Sequence, residues 1–321
     1  MPSSRTTILQ WTGKGSLDYL RSSVAYVLGV EGVRAHVAKL AHSVTLAGPE
    51  PLRIATLFGN MPGVSWIAVG LKVRSLRELS EASEELAGKY LGKGDRFCVE
   101  AEGSTEVSAS DISGIVTSSV LEAARGTRVS LESPRIRFRA AFDGKNGVVG
   151  VEVRKGPGGA PTGVEQVTCL VSGGVHSSVV AWEAVRRGFK VRLLHAEYSE
   201  ESLRAVARLY SELSYRTDPR GLSLEVLGGE SVRGALARRV ASSKGKVFAG
   251  FTPEARGTQL PKALSPLYLM SEEEFSSKFE ALGIKGFEVA EDWERENDGE
   301  SMVRRFAGKR ADISGVLDGM S

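Results

Sequence analysis

At 321 residues the chain is too long for one ordinary domain and suits two or three. Its 41% hydrophobic and 25% charged content is globular and excludes wholesale disorder. No apolar run approaches the ~20 residues of a membrane helix, and Met1-Pro2-Ser3-Ser4-Arg5 lacks the apolar core of a secretory signal. The two cysteines, Cys98 and Cys169, exclude a disulfide framework, a four-cysteine zinc site and an iron–sulfur cluster held by this chain alone. A soluble, cytoplasmic protein with no membrane partner, zinc or cluster is therefore expected. Three Asn and three Gln against 28 Arg and 14 Lys suggest a thermophilic source. Residues 1–75 carry eight Lys/Arg against three Asp/Glu, a surplus of +5 within a total of +3, which suits a polyanion partner there.

Along the chain, Thr6 to Gln10 predicts a strand and Leu17 to Leu28 a helix. Val44 to Ala47 and Ile54 to Phe58 are short apolar pieces. The turn cluster Phe58-Gly59-Asn60-Met61-Pro62-Gly63 precedes a strand, Ser65 to Val73, and Leu76 to Tyr90 is an acidic helix. The count is roughly β-α-β-β-α-β, a ferredoxin-like unit. Phe97 to Ala101 then predicts a strand, and Ser108 or Ser110 can cap a helix through Ile112, Val116 and Val120. Arg135 to Phe142 and Val148 to Arg154 predict a hairpin around Asp143-Gly144-Lys145-Asn146-Gly147. In its first strand Arg135, Arg137 and Arg139 alternate with Ile136, Phe138 and Ala140, so the arginines share one face. That rigid stripe is a candidate RNA-phosphate contact.

Lys155 to Gly163 holds four glycines and two prolines in nine residues and reads as a linker. Beyond it the pattern is βα alternation: strands Val167 to Val171, Lys190 to His195, Leu222 to Leu227 and Lys246 to Gly250, with helices Ser178 to Arg187, Glu200 to Ser214 and Ser231 to Ser242. An acidic helix, Ser271 to Leu282, carries Ser271 as its N-cap. The expected fold is α/β with an α+β N-terminal half, its C-terminal part a doubly wound parallel sheet.

The chemistry-bearing segment is Leu170-Val171-Ser172-Gly173-Gly174-Val175-His176-Ser177-Ser178, where the first parallel strand gives way to its helix. Two glycines let backbone N–H groups approach an oxyanion. The hydroxyls of Ser172, Ser177 and Ser178 add donors, and the helix N-terminus favours negative charge. The loop is neither a GxxxxGK[ST] nor a GxGxxG phosphate motif.

These residues resemble the tRNA 4-thiouridine synthetase (tRNA sulfurtransferase, ThiI-like) family, also known from thiamine biosynthesis. Gly158-Gly159-Ala160-Pro161-Thr162-Gly163 is similar to the family's GG-x-P-x-G link, and Ser172 to Ser178 to the SGG-x-DS pyrophosphatase loop. Arg186-Arg187-Gly188-Phe189-Lys190-Val191 followed by His195-Ala196 also looks like the family. The resemblance implies a ferredoxin-like domain at 1–75, a THUMP RNA-binding domain at 76–158 and a PP-loop (adenine nucleotide alpha hydrolase-like) domain at 164–321, in the archaeal-type arrangement without a rhodanese domain. It implies ATP, with Mg²⁺, as cofactor and tRNA as partner. The nucleotide would meet Leu170 and Val171, then His195 and Ala196. Gly250 and Gln259 keep the spacing of a further family glycine and glutamine, and Arg233 matches a basic residue one helix earlier.

Two departures bear on chemistry. His176 stands where the family loop has Asp, a hard oxygen ligand suited to Mg²⁺. No cysteine follows Cys169, whereas the family carries sulfur on a cysteine in the latter part of this domain. Cys98 and Cys169 both fall on predicted strands, where free cysteine acts as a small apolar residue. The expected function is tRNA binding with impaired or lost thiolation, and no catalytic residue is assigned. The alternative is an active sulfurtransferase that adenylylates uracil with ATP and takes sulfur from a separate carrier protein. A sulfur-carrier or desulfurase protein is thus an expected partner, as is an active paralogue that this chain would serve as a partner subunit.

Overall fold

The structure, a computed structural model, describes residues 5–11, 16–40, 43–197, 199–228, 232–250, 262–282 and 302–307. The chain divides into two compact units, Met1–Pro161 and Thr162–Ser321. The division falls inside the Gly/Pro-rich linker, whose residues 156–163 form neither helix nor strand.

The first unit opens with β1 (Arg5–Trp11), α1 (Leu17–Val30), β2 (His36–Leu40), β3 (Ser43–Ala47), α2 (Pro51–Phe58) and β4 (Val64–Val73). Their strand order, β2-β3-β1-β4, with antiparallel pairing throughout, is the ferredoxin-like arrangement. The count expected from the sequence is right, but its members differ. Ile54 to Phe58 ends a helix that Pro51 starts at a position where a missing N–H does no harm. Strand β2, for which the sequence gives no signal, pairs along β3.

There follow α3 (Leu76–Tyr90), β5 (Arg96–Glu102), α4 (Ala109–Ala123), β6 (Arg128–Val129), β7 (Ile136–Phe142) and β8 (Gly147–Lys155). Helix α3 therefore lies outside the six-element count. Ser75 caps α3 by accepting from Glu78 N, and Ser108, not Ser110, caps α4 by accepting from Asp111 N. Strand β8 pairs with β4, so one eight-stranded sheet, β2-β3-β1-β4-β8-β7-β5-β6, crosses the boundary expected at 75/76. Leu79, Leu86, Ile112 and Val116 of α3 and α4 pack on Phe97, Phe138 and Val149, and Phe97 meets Phe138 edge-on at 5.9 Å.

The second unit runs β9 (Gln166–Leu170), α5 (Val175–Arg186), β10 (Lys190–Ala196), α6 (Glu200–Arg216), β11 (Leu222–Gly228), α7 (Val232–Ala241), β12 (Lys246–Phe248), β13 (Ala263–Leu264), α8 (Glu272–Leu282) and β14 (Met302–Ala307). The sheet order is β13-β12-β9-β10-β11-β14, parallel except for the edge strand β14. Helices α5, α6 and α8 cover one face through Val179, Trp182, Leu203, Leu209 and Leu282. Helix α7 covers the other through Leu236 and Val240 against Leu170, Leu194 and Leu227. The sheet is doubly wound as expected, and its order reverses between β9 and β12.

Candidate functional site

The loop after β9 opens at that reversal, the place where open α/β sheets bind ligands. Its backbone turns on Gly173, whose φ of +92° few side chains tolerate. A Cβ there would also lie 3.1 Å from Ser202 O and Ala205 Cβ of α6. The serines brace the turn from within. Ser172 Oγ accepts from Gly174 N at 3.2 Å, while Ser177 Oγ and Ser178 Oγ donate to Gly174 O at 3.0 and 2.9 Å. Ser177 Oγ also accepts from Ser172 N at 3.2 Å. Gly174 is the N-cap of α5, and no side chain caps that helix start. The hydroxyls thus shape the loop, and the helix N-terminus is left to interact with an anion.

Gly250 follows β12 across the same crevice. A Cβ on it would fall 2.4 Å from Ser177 N and 2.7 Å from the His176 carbonyl carbon, so only glycine lets the two loops meet. Leu170 and Ala196 end their strands beside the crevice, Val171 follows β9 directly, and all three are buried. His195 is fully buried; its Nδ1 lies 2.8 Å from Val171 O and its Nε2 3.3 Å from Ser202 Oγ. Burial pulls its pKa down to about 4, partly opposed by the Val171 carbonyl, so the ring is neutral at pH 7. It braces the loop's first residue against the start of α6. His176 is exposed and stacks on Phe275 of α8, ring centroids 4.9 Å apart. Lys278 of α8 reaches Glu183 of α5 at 3.0 Å, a further tie between these helices. Burial raises the Glu183 pKa, but hydrogen bonds from Arg186 and Lys278 outweigh it, and the net shift is downward. Arg233 lies in the first turn of α7, its side chain outside the described residues, as is all of Gln259.

These residues fit the phosphates of a nucleotide at an uncapped helix start. They offer no metal cage: among the described residues no group of three or more His, Cys, Asp and Glu could hold an ion. Neither thiol is available as a thiolate. Cys169 is fully buried in β9 and Cys98 buried in β5, and desolvation raises both pKa values.

On the first unit's sheet the arginine stripe shares a face, as alternation predicts, but it does not present three free guanidinium groups. Arg135 binds Asp95 Oδ2 at 2.6 Å, and Arg137 binds Glu100 Oε1 at 2.9 Å. Arg139 is buried between Glu100 and Glu152 and stacks 4.3 Å from the Trp66 ring centroid. The sequence reading missed those carboxylates, together with Ser202, Phe275 and Lys278. All are contacts across elements, with no local signal.

The sequence model of the thiamine biosynthesis protein (ThiI) family matches residues 162–248. A probable tRNA sulfurtransferase of Halobacterium salinarum is 31% identical over 180 residues, 54% of this chain and 45% of that protein. One from Streptococcus suis is 26% identical over 196 residues, 58% of this chain and 48% of that protein. The chain thus spans about half the length of the curated relatives it matches. Among solved structures, PH1313 from Pyrococcus horikoshii superposes with a TM-score of 0.71 at 18% identity, covering 87% of this chain and all of that one. A 4-thiouridine synthetase–RNA complex with bound ATP superposes at 0.63 and 15% identity, covering 87% and 85%. At those identities the structures establish the fold. Together the matches bear out the resemblance to the tRNA sulfurtransferase family, and the chain is ThiI-like.

Proposed function

We propose that this ThiI-like chain binds tRNA and an adenine nucleotide and does not by itself carry out sulfur transfer. In this reading 1–75 is the ferredoxin-like domain, 76–158 a THUMP RNA-binding domain and 164–321 a PP-loop domain. The observation that carries it is the loop Ser172–Ser178, opening at the strand-order reversal with an α5 start that no side chain caps, and closed by Gly250. Such a loop holds phosphates through backbone N–H groups and the helix dipole. ATP bound there would supply an activated adenylyl group, with pyrophosphate as the leaving group. The chain's own part is to orient the phosphates through the loop, with His195 holding Val171 and Ser202 together.

Sulfur transfer needs an accessible thiolate, and this chain's two thiols are buried with raised pKa values. His176, turned onto Phe275, puts an imidazole where the resemblance expects a carboxylate. Both features favour binding over self-contained thiolation. For RNA, the +5 surplus of residues 1–75 supports contact through the first unit. Within the arginine stripe, Arg135 keeps a half-exposed side chain, whereas Arg139 acts as framework.

Calorimetry with ATP tests the nucleotide site. Binding by the parent and its loss in Gly174→Asp is the expected result; no heat for the parent at millimolar ATP would remove the proposal. Incubation with ATP, tRNA, cysteine and a desulfurase should yield no 4-thiouridine. Chain-dependent thionucleoside, seen by mass spectrometry, would restore the active reading.

A further inference from the structure

On the α7 face of the second unit the apolar cluster is fullest at the carboxyl ends of the strands, and Val247 of β12 extends it beside Thr168. Toward the amino ends, Thr168, Arg192 and Glu225 replace Leu170, Leu194 and Leu227 on the same face. Here the surface opens into a cavity of about 350 Å³ lined by Gln166, Thr168, Arg192, Arg239, Ser243 and Lys244. It lies at the end of the sheet opposite the Ser172–Ser178 loop.

The lining is built rather than incidental. Arg192 donates to Thr168 Oγ1 at 2.8 Å and to Ser243 Oγ at 3.0 Å, which fixes its plane along the cavity wall. Arg239 donates to Glu225 Oε2 at 2.9 Å, and Glu225 lies 3.8 Å from Arg192 Nη1. The carboxylate is buried and holds both guanidinium groups in place from behind. Lys244 stands exposed at the rim. Three cations thus face one carboxylate among the described residues. The nearby Lys246 is already matched by Glu165 at 2.9 Å. The α7 carbonyls that would repel an anion are occupied: Ser242 and Ser243 donate to Arg239 O, and Lys262 Nζ donates to Ala241 O at 2.9 Å.

We propose that this cavity is a second oxyanion site, which takes a phosphate group independently of the nucleotide loop. Arginines fixed in orientation recognise the tetrahedral oxyanion through paired N–H donors, and the surplus charge sets its sign. The same chemistry is met by a phosphate of an RNA backbone and by a free phosphorylated small molecule.

Titration with inorganic phosphate, followed on the Nε–Hε resonances of Arg192 and Arg239 by NMR, reads the site directly. Both resonances should shift saturably in the parent and in Gly174→Asp, since the loop is not involved. Lys244→Glu, an exposed change that leaves the Glu225 pair intact, should raise the phosphate Kd about tenfold, the equivalent of about 1.4 kcal/mol. Arg239→Lys, which keeps the charge but loses the planar fork, should weaken phosphate by a smaller factor. If Lys244→Glu also weakens tRNA binding, the group is a backbone phosphate; if tRNA affinity is unchanged, it is a free ligand. Equal phosphate affinity in the parent and Lys244→Glu, or absence of saturation in the parent, overturns the site. Loss of the signal in Gly174→Asp would assign the phosphate to the nucleotide loop instead.

Discussion

His176 stacks on Phe275, with ring centroids 4.9 Å apart and planes 31° from parallel. The imidazole sits at the second position of α5, and the phenyl ring belongs to α8. The position where the resemblance places a metal-facing carboxylate is here part of a helix–helix contact, reinforced by the Lys278–Glu183 ion pair. A residue can serve the loop or the neighbouring helix, and this ring is turned to the helix.

His176→Asp separates those two roles. Loss of the ring contact removes about 0.5–1.5 kcal/mol, and a carboxylate in the first turn of α5 returns about 0.3–1 kcal/mol. Stability should therefore change by less than about 1 kcal/mol. ATP binding should become strongly dependent on Mg²⁺, because an uncompensated carboxylate repels phosphate. Calorimetry with and without Mg²⁺ checks this; equal affinities in the variant would show that position 176 does not face the nucleotide.

Gly250 is held to the loop by close approach rather than by its own torsions. In Gly250→Ala the new Cβ meets backbone atoms of His176 and Ser177, which cannot swing aside. Overpacking of this kind costs about 1–3 kcal/mol, and here the strain would fall on the first turn of α5. ATP affinity should drop at least tenfold, by about 1.4 kcal/mol or more, while the near-UV signature of the first unit stays unchanged. An alanine variant with parental affinity would separate Gly250 from the site.

Much of this was legible in the sequence. Leu17, Leu76 and Glu200 begin the helices expected there because Ser16, Ser75 and Ser199 provide caps. The switch-point loop follows from a continuous apolar strand running into Ser-Gly-Gly. What was not legible lies between elements. Ile54 to Phe58 carries too few residues for a helical period to show, and only Pro51 marks its start. Alternation puts Arg135, Arg137 and Arg139 on one face, but register alone brings Glu100 opposite Arg139. Gly250 keeps a family spacing, yet its contact with Ser177 follows from the adjacency of β12 and β9.

The stripe's arginines should accordingly behave differently from one another. Arg139 is enclosed by Glu100, Glu152 and Trp66, so Arg139→Ala leaves buried carboxylate unmatched and should cost about 3 kcal/mol. Arg135 is half exposed, and Arg135→Ser should change stability by under about 1 kcal/mol. If Arg135 meets an RNA phosphate, its loss should reduce the slope of log affinity against log salt by about 1. Urea titrations and filter binding at several salt concentrations measure the two effects. A parental salt slope in Arg135→Ser would take this face out of the RNA contact.

His195 makes the second unit sensitive to acid. Its pKa is about 4 in the folded chain, because full burial disfavours the imidazolium, against about 6.5 when unfolded. The folded value lies below the unfolded one, so the unfolded state binds the proton first. The histidine's contribution is fully present above about pH 6.5 and is lost as pH falls toward 4. Between pH 7.5 and 5 the loss from this group alone is about 2 kcal/mol. Carboxylates titrating over the same range add their own slope, so the comparison must be with a variant. In His195→Gln an amide can still meet Val171 O and Ser202 Oγ without titrating. The variant should be less stable than the parent at pH 7.5, since its fit is poorer. Its unfolding free energy, from urea titration, should fall about 2 kcal/mol less between the two pH values. Parallel pH profiles for parent and variant would mean that the ring is protonated equally in both states, and that His195 does not brace the loop as a neutral group.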